Sequence, residues 1–485
     1  MGNIIRRIKL EDGTVENQLA SVDTSGNLSV KDSEAGTKLD TLDTSVQDVK
    51  TSVDAVTTAV QAVETNQTDK TQFTKITDGI NDLNIKANGT MPVDLPISAF
   101  GDLQTAELTP ILQHSFEYTV DNTEILTNTI TAGGTVTQSN GMAVIGSSTT
   151  TGSDAFMKSR RHAKYRPGLG GMMRFTALFE TSVASTEQYV GLADDRGSSE
   201  AFNNGFMIGY DGTTFGLHRF QNDVKTTVAL SNWDDPLDGT GESGMTLDNT
   251  KLNVWFIRFQ YLGAGKIDIL VEDDSTGLPV VVHSVLYANN NTTPSVYNPN
   301  FHLSFFVDNK ATTTNLVVKT ASMAYFIEGK TKYYELHQPQ FSTGKQQATT
   351  VTTSDNIVTI RNKASYASKT NFIDIILERV SVSIEASSAN NLGEIRLVRN
   401  ATLGGTPSYT DINTSDSIVD YDVSGTTVTN GKTLDVISLA GKNDSANIDL
   451  TPYDIILAPG ETLSFEGVSV NSATINVTVL WKELF

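Results

Sequence analysis

The most regular pattern of apolar positions in the chain runs through Leu39, Leu42, Val46, Val49, Val53, Val56, Val60 and Val63, with steps alternating three and four. A 3.5-residue period predicts a helix that buries a narrow seam against identical copies. Leu39, Val46, Val53 and Val60 take the a positions, and Leu42, Val49, Val56 and Val63 the d positions. From about Thr37 to Thr65 such a helix is a stalk roughly 40 Å long. Its flanks are Thr, Ser, Asp and Gln, and valine is a mediocre helix former, so association must stabilise it. β-Branched residues at both a and d favour three strands over two, which predicts a homotrimer. The competing arrangement, one amphipathic helix packed on its own chain, calls for a broader apolar stripe than this one.

Elsewhere the period is two. Trp255, Ile257, Phe259 and Tyr261 alternate with Arg258 and Gln260, and Ile267, Ile269 and Val271 alternate with Asp268 and Glu272. The clearest alternation is the last one, with Ala473, Ile475, Val477, Val479 and Trp481 on one face and Thr474, Asn476 and Thr478 on the other. Before it, Asp454 to Leu457 and Leu463 to Phe465 read as a hairpin closed by Pro459-Gly460. Near the N-terminus, Val15 to Val22 and Asn27 to Val30 flank a turn at Asp23-Thr24-Ser25-Gly26. The expected organisation is an N-terminal β element over 1–34, a coiled-coil stalk over 35–67 and a small β unit with linker over 68–105. A large β-sandwich over 106–335 and a second over 336–485 follow. The fold class is mainly β.

Composition narrows the functional classes. The abundance of Thr, Ser, Asn, Gly and Val suits strands joined by tight polar turns. A net charge of −21 argues against a nucleic-acid partner, because phosphates would be repelled. The chain has no cysteine, which excludes disulfides, thiolate metal sites and cysteine nucleophiles. Arg6 and Arg7 are followed by Lys9-Leu10-Glu11-Asp12-Gly13 rather than an apolar run, so neither a secretory signal nor membrane insertion is expected.

Chemistry-bearing patterns are few. His114, His162, His218, His283, His302 and His337 are too dispersed for a metal pair on one helix or strand. No phosphate loop, nucleophile elbow or zinc-peptidase motif occurs, and no cofactor is expected. Glu272, Asp273 and Asp274 form the densest acidic run of the central region, but without the strand alternation of a sandwich glycosidase, so no catalytic residue is assigned. Asp234, Asp235 and Asp238, in Trp233 to Gly241, fit either a calcium-binding loop or an ordinary turn. Lys158, Arg160, Arg161, Lys164 and Arg166, with His162 among them, form a basic strip in an acidic chain. It fits either an anion site or pairing with an acidic neighbouring subunit.

Several segments together resemble tailed-phage particle proteins of the fibre, baseplate or head-fibre kind. They are Gly152 to Phe156, Ser159 to Gly168, Trp233 to Gly241, Tyr287 to Pro294, Lys319 to Ala324, Pro459-Gly460-Glu461 and Trp481 to Phe485. The resemblance covers about half of the chain. It implies lectin-like or jelly-roll sandwiches in a homotrimer, with the N-terminal region anchored to other virion proteins. It also implies a virion location after synthesis in the host cytoplasm. Such sandwiches serve either host-glycan attachment or assembly alone, and the resemblance supplies no catalytic residues.

Overall fold

The computed structural model describes residues 4–9, 15–22, 28–31, 33–68, 108–120, 125–329, 338–347, 354–386, 392–440 and 442–485. The small β unit expected over 68–105 lies almost wholly outside them. The chain divides into two compact units, Met1–Leu95 and Pro96–Phe485.

In the first unit, strands Ile4–Lys9, Val15–Val22 and Leu28–Lys31 form an antiparallel meander. The hairpin read from the sequence is present, and a strand precedes it. The helix follows as Ser33–Thr68. Leu42, Val46, Val49, Val53, Val56 and Val60 stand 50–64% exposed along it, while the side chains of Leu39 and Val63 lie outside the described residues. Its polar residues serve their own backbone: the hydroxyls of Thr44, Ser45, Thr51, Ser52, Thr57 and Thr58 each donate to the carbonyl four residues earlier. The apolar seam runs exposed alongside these hydroxyls.

The second unit holds two sandwiches. In the first, a seven-stranded sheet runs in the order Lys225–Ala229, Thr214–Phe220, Gly205–Asp211, Glu187–Ala193, His302–Asp308, Asp154–Ser159, Leu126–Thr131. It faces a nine-stranded sheet centred on Gly171–Phe179 and Asn253–Phe259. Pairings within both sheets are antiparallel among the described residues. Period-two alternation puts one face of each sheet into a shared core, where Phe175 meets Phe305 and Phe206 meets Phe259 edge-on or tilted, at 6.3 and 5.6 Å between centroids.

Strands Glu187–Ala193 and His302–Asp308 are buried on both faces. The second face of this sheet carries Phe156, Tyr189, Met207, Phe220 and Phe306, capped by Phe202 from the segment after Ala193. Asp223 fastens that segment by accepting from the amides of Ser198, Ser199 and Glu200.

The C-terminal sandwich packs a five-stranded sheet, Gln340–Gln347, Ala473–Glu483, Ile375–Ala386 and Ser445–Asp449 with Ile456–Leu457 at its side, on an eight-stranded one built around Asp355–Asn362, Thr462–Ser469 and Leu392–Arg399. The final strand buries Ala473, Ile475, Val477, Val479 and Trp481, the face read from the sequence. The hairpin expected around Pro459-Gly460 is not formed. Ile456–Leu457 pairs with Ile375–Ala386, and Thr462–Ser469 pairs in the other sheet, so the turn carries the chain between layers. Gly460 makes this possible at φ +86°, a conformation glycine adopts without strain.

Candidate functional site

The basic strip lies where the two sandwiches meet. Ser159 ends a strand of the seven-stranded sheet, and the following residues run along the C-terminal sandwich. Lys164 Nζ donates to the Leu484 carbonyl at 2.8 Å and lies 3.8 Å from Asp374, with both side chains more than 90% buried. Burial pushes the Asp374 carboxyl up and the Lys164 amine down to about 8, each against the attraction of the other. Arg160 Nη1 donates to Glu461 at 3.4 Å, and the His162 ring meets Phe372 edge-on at 5.3 Å. Lys158 instead pairs within its own sandwich, with Asp195 at 3.1 Å. Arg161 and Arg166 are half-buried beside this clasp, and the Arg161 carbonyl accepts from the Ser159 hydroxyl. The acidic neighbour of the strip is therefore found within the same chain.

Beside the clasp opens a cleft of about 630 Å3. One wall is Thr127, Lys158, Arg160 and Asp195; the other is Thr370, Asn371, Asn400, Pro459, Gly460, Glu461 and Thr462. Volumes of ~300–1,000 Å3 are usual for small-molecule sites, and junctions between domains are a common place for them. Glu461 is fixed by the sheet-switching turn: it accepts from the Ala458 amide at 2.8 Å and from Asn400 Nδ2 at 3.2 Å.

His162 and His302 also line the cleft, their rings 3.9 Å apart between centroids. Both are buried, and neither Nδ1 has a hydrogen-bond partner among the described residues. Burial, with Lys164 and Lys158 nearby, drives His162 down to about 3, and burial with His162 and Lys158 lowers His302 as well, so both rings are neutral near pH 7.

Asp195 links the cleft to a polar loop cluster. Its neighbour Asp194 accepts from the Asn204 amide and side chain at 2.6 and 2.8 Å, and from Asn298 Nδ2 at 3.4 Å. Asn204 Oδ1 in turn accepts from the amide of Tyr297, a residue 53% exposed. The three tryptophans are all buried, so Tyr297 is the exposed aromatic that sits among polar side chains on these loops.

The other sequence candidates resolve into turn chemistry. Burial alone would raise the Asp235 carboxyl, but the amides of Ser243 and Leu237 outweigh it and hold it down. Asp238 accepts from the hydroxyl and amide of Thr240, and Asp234 from the Ser284 amide. Asp235 and Asp238 thus serve nearby loop amides and hydroxyls, whereas Asp234 faces the strand Pro279–Val285, 3.3 Å from His283 Nδ1. In the acidic run, Asp273 accepts from Ser275 and Thr276, and Glu272 pairs with Arg174 at 3.5 Å. Among the described residues no group of three or more His, Asp or Glu side chains is placed to hold a metal ion, and no helix is long and apolar enough to cross a membrane.

The basic strip was visible in the sequence; Asp195, His302 and Glu461 were not singled out as its companions. Separations of 37 residues for Lys158–Asp195 and 301 for Arg160–Glu461 leave no local signal.

No known family's sequence profile matches the chain, and no curated protein matches it. Solved structures similar to it include a legume lectin-like domain from Entamoeba histolytica, at 12% identity over 41% of this chain and 88% of that one, with a TM-score of 0.26. Arcelin-5, a lectin-like defence protein from Phaseolus vulgaris, is 8% identical over 45% and 98%, with a TM-score of 0.29. Rv0315, an immunostimulatory antigen and pseudo β-1,3-glucanase of Mycobacterium tuberculosis, is 11% identical over 46% and 99%, with a TM-score of 0.30. At such values the similarity carries no functional argument, and the mainly β sandwich architecture stands on the sheets themselves.

Proposed function

We propose that this chain is a non-enzymatic, glycan-binding attachment protein that acts as a homotrimer on a tailed-phage particle. The observation that carries the binding role is the polar cleft between the sandwiches, with Asp195 on its wall and the exposed Tyr297 on the adjoining loops. Saccharides are held by fixed donors and acceptors together with an aromatic face, and this region supplies both. In the acidic run of the central region Asp273 is engaged in a turn and Glu272 in a surface ion pair, which favours binding over catalysis.

Trimerisation supplies avidity. Six exposed seam residues in a 3.5-residue period lose their contact with water only if helices wind together, and three weak sites then act at high effective concentration. The phage context is supported by the sequence resemblance alone; in that context the N-terminal strands dock on other virion proteins, and the chain is made in the host cytoplasm. Full-length protein on a glycan array is expected to retain host-surface saccharides, and light scattering is expected to give three times the chain mass. An array without retained ligands removes the binding role, and a monomer removes the trimer. Antibody labelling of phage particles tests the location: label on the virion surface is expected, and unlabelled particles reject it.

A further inference from the structure

The charges lining the cleft are balanced in pairs. Lys158 lies 3.1 Å from Asp195 and Arg160 3.4 Å from Glu461, and these four are its only formally charged side chains among the described residues. His162 and His302 add no charge near pH 7, because burial keeps both imidazoles unprotonated. The formal sum of the lining is zero.

An anionic ligand would find no uncommitted cation here, and its carboxylate or sulfate would face Asp195 and Glu461. Glu461 cannot swing away, since the Ala458 amide and Asn400 hold it. A vicinal diol meets the same walls differently. Each hydroxyl both donates and accepts, so it bridges an ammonium or guanidinium on one side and a carboxylate on the other without disturbing the balance. Thr127, Thr370 and Thr462 add hydroxyls on both walls.

We propose that the cleft between the sandwiches binds an uncharged, diol-bearing saccharide unit and discriminates against carboxylated or sulfated ones. This rests on the glycan-binding reading and goes beyond it by naming the class and the place. Of the two readings of the basic strip, it sets aside the anion site and moves the acidic pairing into the same chain, where Lys158 is matched by Asp195 and Arg160 by Glu461.

The test is titration calorimetry of the full chain with neutral oligosaccharides and with sialylated, uronate-containing and sulfated counterparts, for the wild type and for Asp195→Asn and Lys158→Ala. The wild type is expected to prefer neutral saccharides by about tenfold or more, the scale of a like-charge clash. Asp195→Asn, at a side chain 39% exposed and so tolerant of replacement, leaves Lys158 unmatched and is expected to gain acidic ligands while losing neutral ones. Preference of the wild type for acidic saccharides overturns the charge-balance argument and leaves glycan binding standing. Neutral binding unchanged in both variants, with unaltered melting temperatures, places the site elsewhere and also overturns the proposal. Failure of every saccharide to bind overturns the glycan reading itself.

Discussion

Lys164 shows how much a single buried group decides at the junction of the sandwiches. Removing its ammonium leaves Asp374 buried and the Leu484 carbonyl without its donor. Lys164→Met is therefore expected to cost about 3 kcal/mol or more in urea denaturation, and Lys164→Met with Asp374→Leu to recover much of that, because breaking a buried pair is worse than replacing it. A second residue-scale consequence concerns acid. His218 is buried, with Nδ1 3.0 Å from the Thr227 hydroxyl and Nε2 3.0 Å from the Gly209 carbonyl, and burial lowers it to about 4. At this group the folded state binds fewer protons than the unfolded chain between pH 6.5 and about 4. Its contribution is present above pH 6.5 and declines as pH falls, by roughly 1 kcal/mol per pH unit. Burial raises Asp194 to about 6, and that group acts in the opposite direction over part of the range, so the comparison is made between wild type and His218→Gln. The variant is expected to start less stable at pH 7 and to lose less on going to pH 5. Equal losses would mean that His218 is charged in the folded protein.

Among the elements, the helix presents one apolar face to solvent and the final strand buries one. Val53→Asp and Val56→Asp together put carboxylates into the seam, and light scattering is expected to report monomer, with helical circular dichroism falling alongside it. Trp481 is fully buried in the last strand, its indole N–H 3.3 Å from Glu483, and Trp481→Ala is expected to cost about 3–5 kcal/mol. Both elements were legible in the sequence because each buries or presents a single face, so its period survives in the residue order. Glu187–Ala193 was not, because Phe202 and its neighbours cover the second face and the alternation disappears. Ile4–Lys9 was hidden by Arg6-Arg7, which interrupts the apolar pattern. At Pro459-Gly460 the turn was correctly located while its partners were not, since turn chemistry fixes a reversal and tertiary packing chooses the sheet. The cleft was half legible for a related reason: Lys158 and Arg160 announce themselves by charge, whereas the matching carboxylates come from distant strands and turns.

For the molecule as a whole, the turn that switches sheets also delivers Glu461 to the cleft, so the opposite wall exists only when the C-terminal sandwich has folded. A saccharide touching both walls binds one joint state of the two sandwiches and neither sandwich alone. By mass action, ligand at a hundredfold excess over its dissociation constant would add about 2.7 kcal/mol to that joint state. Unfolding that proceeds in two calorimetric steps without ligand would draw together into one as saccharide is added, so that occupancy at the junction sets how cooperatively the two sandwiches melt.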